Sequence, residues 1–198
     1  EGEEERVLRA AQIVSDEGLA RPTLIGRPAV IAERIEKFGL RLREGIDYDV
    51  VNVEQDSRYR DFWQTYHRMT ERKGITQQIA KIEMRRRLTL IGTMLLHKGD
   101  VDGMICGTWS RPDTHLIYVD QVIGNRPGVS TYACMNGLLL PDRQLFLVDT
   151  HLNLDPTAEQ LAEITIMAAE EMRRFGIAPK AALLSHSNFG SSLQDSAA

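Results

Sequence analysis

Cysteine is scarce in this 198-residue chain: Cys106 and Cys134 are the only two, and no CxxC spacing joins them. That pattern argues against a disulfide framework or a thiolate zinc site, so buried reduced thiols are expected. No apolar run approaches the roughly 18–20 residues that cross a bilayer, and the opening EGEEE has the wrong sign for a secretory or mitochondrial leader. The cytoplasm is the expected location, with no membrane partner. Neither G-x-x-x-x-G-K-[ST] nor G-x-G-x-x-G occurs, which excludes the standard mononucleotide and dinucleotide loops as motifs. Positive charge is not in excess either. The 24 Lys and Arg stand against 28 Asp and Glu, and a net charge of −4 argues against nucleic acid as the main partner.

What is present is ordinary globular composition, 42% hydrophobic and 26% charged, enough for one sizeable core or two small ones. Helical and strand-like periods alternate, with glycine or proline at most junctions. Helices are expected over 3–17 and 28–39, after Ser57, and after Thr76 with a resumption through Leu90 and Met94 to Gly99. Two more follow, from Asp113 or Thr114 to Ile123 and from the Thr157/Gln160 capping-box pattern to Gly176. Strands are expected over 22–25, 48–53, 103–106, 131–140, 145–148 and 180–184. GNRPG over 124–128 reads as a linker or hinge between a first α/β subdomain, 1–126, and the start of a second, 127–198. Such alternation implies a mostly parallel sheet covered on both faces.

Two loops follow apolar strand candidates, the position where open α/β sheets place ligands. The first, SHSNFGSS, offers Ser185, Ser187, Asn188, Gly190 and Ser191, whose hydroxyls, amide and backbone N–H groups can all donate to phosphate oxygens. A solvent-exposed turn explains the same composition equally well. In the second, GTWSRPDTH over 107–115, Arg111 can grip a phosphate and Trp109 can stack on a flat ring. The structural alternative pairs Arg111 with Asp113 and lays Trp109 over a core edge. Asp149, His151 and Asp155 suggest oxygen and imidazole ligands for a metal, but capping of the following helix is the better explanation. Lys81, Arg85, Arg86 and Arg87 read as a solvated helix face that, with Arg72 and Lys73, could also serve a polyanion such as the nucleotide end of coenzyme A.

Four segments in order, EGEEERVLRAAQ over 1–12, DGMICGTWSRPDT over 102–114, DPTAEQLAEI over 155–164 and ALLSHSNFGSS over 182–192, resemble the phosphate acetyl/butyryltransferase family. The resemblance implies a three-layer α/β/α fold of the isocitrate/isopropylmalate dehydrogenase-like type, in two subdomains with an acetyl-CoA crevice, and a homodimer or higher homo-oligomer. It also implies that the second subdomain is truncated here. SHSNFGS is closer to the branch forming the carboxyl-terminal domain of large bacterial NADP-dependent malic enzymes than to the S-x-S-T-K-G-S of active transferases. Phe189 stands where that lysine would be, and His115, Leu116 and Ile117 follow Asp113–Thr114 where D-T-L-R-P would carry an arginine.

Losing two cations removes charge stabilisation from the phosphate site and leaves binding of the thioester possible. The resemblance therefore implies an acetyl-CoA-sensing domain without catalytic residues or a metal of its own. Its contacts would be Ser185, Ser187, Asn188, Gly190 and Ser191, with Thr108, Arg111 and Asp113. NADP and a divalent metal are expected only in a malic-enzyme region outside this sequence. The alternatives are an active phosphate acetyltransferase and a purely structural dimerisation module.

Overall fold

The computed structural model describes residues 1–185, 187 and 191, and the chain divides into two compact units, Glu1–Gly124 and Asn125–Ala198. In the first unit α1 (Glu5–Asp16) begins where the Glu4 carboxylate accepts the N–H groups of Arg6 and Val7. Strand β1 (Thr23–Gly26) leads into α2 (Pro28–Lys37), whose proline presets the first turn. Strand β2 (Asp49–Asn52) lies parallel to β1, with Leu24 opposite Val50 and Ile25 opposite Val51.

Strand alternation assigns the two faces. Leu24 and Val50 pack with Leu8, Ala11, Ile31 and Ile35 of α1 and α2, whereas Ile25 and Val51 join the cluster of the later helices. Those helices are α3 (Tyr59–Thr70), α4 (Gln77–Arg86), α5 (Leu88–Lys98) and α6 (Pro112–Val122). Helices on both faces of a parallel pair make three layers. The Thr76 hydroxyl caps α4 at 3.3 Å from the Ile79 nitrogen, as its sequence pattern predicts. Extended backbone at Arg87 (φ −108°, ψ 96°) then separates α4 from α5.

Helix α5 is buried continuously from Thr89 to Leu95, and Gly92 permits its close approach. A Cβ there would meet the Met104 sulfur at 2.6 Å.

The second unit holds an antiparallel pair, β3 (Met135–Leu139) and β4 (Gln144–Val148), and helix α7 (Ala158–Arg174). The predicted capping box at Thr157 and Gln160 is formed in full. Phe146 of β4 stacks on Phe175 at 6.2 Å between ring centroids. Ser130 binds the Glu163 carboxylate through its N–H and hydroxyl, both at 2.9 Å.

Several expectations are corrected. Residues 103–106 and 180–184 form no strand, since a strand needs a ladder partner and neither has one among the described residues. Their apolar side chains Ile105, Leu183 and Leu184 are exposed rather than buried. The strand predicted over 131–140 is shortened to Met135–Leu139. Helix α6 is capped by Arg111 rather than Asp113 or Thr114, because Pro112 lacks an N–H and fits its first position. Both cysteines are free, yet Cys106 is exposed and Cys134 half-buried.

Candidate functional site

A cleft of about 480 Å³ opens in the first unit, where the α4–α5 junction meets the start of the chain and the loop entering α6. Arg86, Arg87, Thr89, Trp109, Ser110 and His115 are among the residues that line it. The loop is held in an unusual shape. Gly107 has φ +114° and Ser110 φ +73°, the latter a left-handed conformation that non-glycine residues rarely adopt.

His115 anchors that shape. One ring nitrogen lies 2.5 Å from the Trp109 carbonyl and the other 2.7 Å from the Thr89 hydroxyl. A carbonyl only accepts, so Nε2 carries a proton, and in the neutral ring Nδ1 accepts from Thr89 Oγ1. The imidazole thus ties the loop to the start of α5. The Thr108 N–H donates to the Glu1 carboxylate at 2.7 Å, a further clamp on the same loop.

Arg111, the loop's one arginine, closes on Asp113 of the first turn of α6. Its Nε lies 3.1 Å from Oδ1, and a second guanidinium nitrogen contacts Oδ2. The pairing reading of this arginine is therefore the one realised. Trp109 is 64% exposed and covers no core edge.

The other cleft cations differ in their engagement. Arg27 donates three hydrogen bonds to Glu3, from its backbone and its fork, at 2.7–2.9 Å. Arg87 lies 3.4 Å from Glu83, whose carboxylate also accepts the Tyr118 hydroxyl. Burial first, and then that carboxylate, push the Tyr118 phenol well above its ordinary value. The Arg86 side chain makes no hydrogen bond or ion pair with the described residues, which leaves its charge available at the cleft.

The Arg27 fork holds the Glu3 carboxyl down at about 2, from an ordinary 4.5. A folded-state pKa below the unfolded one contributes stability above pH 4.5, and that contribution is lost as pH falls towards 2. Hydrogen bonds to charged groups are worth about 1.5 kcal/mol at their lower end, so Glu3→Gln is expected to lower Tm at pH 7 by about 3–6 °C. Thermal melts of both proteins across pH 7 to 2 check this. The gap should close on acidification.

In the second unit the Ser187 N–H donates to the Ser185 hydroxyl at 3.1 Å, and Ser185 and Ser191 are exposed. Asn188 and Gly190 lie outside the described residues. Asp149 does not cap the following helix, whose cap is Thr157; its carboxylate instead ties loop backbone together, accepting the N–H groups of Cys134, His151, Leu152 and Asn153. Among the described residues no three His, Cys, Asp or Glu side chains converge as metal ligands.

The basic cluster of α4 divides. Arg86 and Arg87 face the cleft, while Lys81 and Arg85 lie over the rings of Trp63 and Tyr59 on another groove. The pairing of Thr89 with the His115 of this loop has no signal in the sequence, because it joins positions 26 apart.

A family profile described as phosphate acetyl/butaryl transferase matches residues 1–198. The chain belongs to that family. It is 52% identical over 192 residues to an NADP-dependent malic enzyme of Salmonella typhimurium, covering 97% of this chain and 25% of the relative. An NAD-dependent malic enzyme of Rhizobium meliloti is 46% identical over 197 residues, which is 100% of this chain and 26% of that one. A phosphate acetyltransferase of Nitratidesulfovibrio vulgaris is 37% identical over 187 residues, 94% of this chain and 26% of the relative.

This family member therefore spans about a quarter of the length of those relatives. Among solved structures, the EutD phosphotransacetylase from Staphylococcus aureus superposes with a TM-score of 0.82 at 27% identity. It covers 98% of this chain, which covers 58% of it. The shared architecture is the three-layer α/β/α fold, as the two covered faces of β1 and β2 require.

Proposed function

We propose that the chain is a regulatory, non-catalytic, acetyl-CoA-sensing phosphotransacetylase-like domain of a bacterial NADP-dependent malic enzyme. The observation that carries this reading is the closure of Arg111 on Asp113. Transfer of an acetyl group to phosphate needs preorganised positive charge where phosphate reacts. Here the loop's only arginine is engaged by Asp113, and sequence places Phe189 and His115–Ile117 where active transferases carry a lysine and an arginine. Binding makes a smaller demand. Arg86 supplies a cation for the phosphates of the carrier, and the exposed Trp109 ring supplies a flat surface.

Ser185, Ser187, Asn188, Gly190 and Ser191, with Thr108, Arg111 and Asp113, complete the proposed contacts. Oxidation of malate with NADP and a divalent metal is proposed to belong to the rest of the protein, since this chain spans about a quarter of the malic enzymes it resembles. The functional unit is proposed to be a homo-oligomer. No described helix is long and apolar enough to cross a membrane, and the cytoplasm is the proposed location.

For acetyl-CoA to regulate a distant reaction, it must bind two enzyme states with different affinity. Titration into the full-length protein during malate oxidation tests the reading: saturable inhibition is expected, and an unchanged rate at saturating acetyl-CoA contradicts it. The phosphate acetyltransferase relatives at 33–37% identity favour a second reading, an active transferase. That reading requires acetyl phosphate to form from acetyl-CoA and phosphate above the blank rate.

A further inference from the structure

Helices α3 and α4 run side by side, and a groove of about 590 Å³ opens on their outer side, apart from the cleft beside the 107–111 loop. Two side chains of α3, Tyr59 and Trp63, are one helical turn apart, and so are Lys81 and Arg85 of α4. They meet as an antiparallel ladder. The Lys81 ammonium lies 4.6 Å from the Trp63 ring centroid, and the Arg85 guanidinium 4.7 Å from that of Tyr59. The Tyr59 hydroxyl donates to the Lys81 carbonyl at 2.8 Å, which fixes the two helices in this register.

Arg60 adds a third cation, and no carboxylate lines the groove. None of the three cations has an acidic partner among the described residues, unlike Arg21 and Arg41, which each hold an aspartate. The charges are thus uncompensated and, at Lys81 and Arg85, already positioned by aromatic rings. Ordering them for a ligand costs little further entropy.

We propose that this groove binds a nucleoside di- or triphosphate. Its volume falls within the roughly 300–1,000 Å³ of small-molecule sites, and the three cations match a chain of phosphates. The Arg85 guanidinium, held over the Tyr59 ring, is a planar cation of the kind on which a base can stack. Gln78 at the rim supplies an amide for the base edge. An acidic peptide would use the charge but not the concavity or the flat surfaces. The proposal is independent of acetyl-CoA sensing at the other cleft.

The chain has two tryptophans, Trp63 and Trp109, so a fluorescence change of the full-length protein that Trp63→Phe abolishes and Trp109→Phe retains reports this groove. ADP is expected to change Trp63 fluorescence saturably, with an affinity that falls as salt rises. The double variant Lys81→Ala/Arg85→Ala should bind at least about 10-fold more weakly, the effect of losing about 1.4 kcal/mol. Arg60→Ala, at an exposed side chain, should weaken binding with the fold intact and serves if the double variant does not fold.

Parallel titrations with ATP, coenzyme A, inorganic pyrophosphate, adenosine and a poly-glutamate peptide identify the ligand. Binding of ADP or ATP without coenzyme A assigns the site to free nucleotides, and binding of all three assigns it to the nucleotide moiety they share. The proposal is overturned if ADP gives no saturable change at millimolar concentration, or if all the variants bind it as the parent does. It is overturned equally if pyrophosphate, adenosine or the peptide binds as tightly as ADP.

Discussion

Replacing Arg86 with glutamate is expected to weaken acetyl-CoA binding by about 100-fold, and Arg86→Gln by about 10-fold. Arg86 ends α4 at the rim of the cleft and engages no acidic partner among the described residues. A charge-assisted hydrogen bond to phosphate contributes about 1.5–3 kcal/mol, and each 1.4 kcal/mol is about tenfold in affinity. Glutamate removes the bond and adds repulsion, whereas glutamine removes only the charge. The substitution also sets a negative charge against the helix carboxyl end, which costs roughly 0.3–1 kcal/mol of stability without unfolding the domain. Calorimetric titration measures both variants. Raising ionic strength should shrink the gap between wild type and Arg86→Glu, and equal affinities would place the carrier's phosphates elsewhere.

The largest loss of stability is expected from Met94→Ala. Met94 is fully buried in α5, in the cluster that includes Val51, Phe62, Tyr66, Met84, Leu90 and Tyr118. Truncation removes transfer energy and leaves a cavity that surrounding helices fill only in part. The cost is about 2–5 kcal/mol, which for a chain of this size lowers Tm by roughly 5–15 °C. Leu154→Ala provides the contrast. Its side chain is 86% exposed, so a change within about 0.5 kcal/mol is expected. Denaturant unfolding of the three proteins compares them directly, with the midpoint rather than the slope expected to move.

Much of the architecture is legible from local signals. Thr76, Thr157 with Gln160, and Pro28 each specify a helix start through one backbone constraint, and each is found where its pattern places it. Parallel β1 and β2 follow from short apolar runs separated by a helical period. Periodicity fails where structure depends on distant partners. The segments 103–106 and 180–184 have strand-like composition, but composition provides no ladder partner, and Ile105 and Leu184 stand exposed. Pro112 overrides the capping preference of Asp113 and moves the start of α6.

The site was legible as a loop and not as an arrangement. The 107–115 stretch stands out in sequence as a candidate ligand loop, and pairing of Arg111 with Asp113, two residues apart, is a local possibility that the structure realises. Thr89 and His115 could be joined only once α5 and α6 were packed together. The run of cations at Lys81 to Arg87 gave no sign that one helix would distribute them between two grooves. Helical geometry makes that division natural, since Lys81 and Arg85 share a face that Arg86 and Arg87 leave.

Acetyl-CoA sensing without turnover is tested most directly by one calorimetric titration of acetyl-CoA into the full-length protein in phosphate buffer. A single saturable binding isotherm is expected, with heat that ends when sites are filled and acetyl-CoA recovered intact. Heat that continues after saturation while acetyl phosphate accumulates, or no binding heat at all, would contradict it.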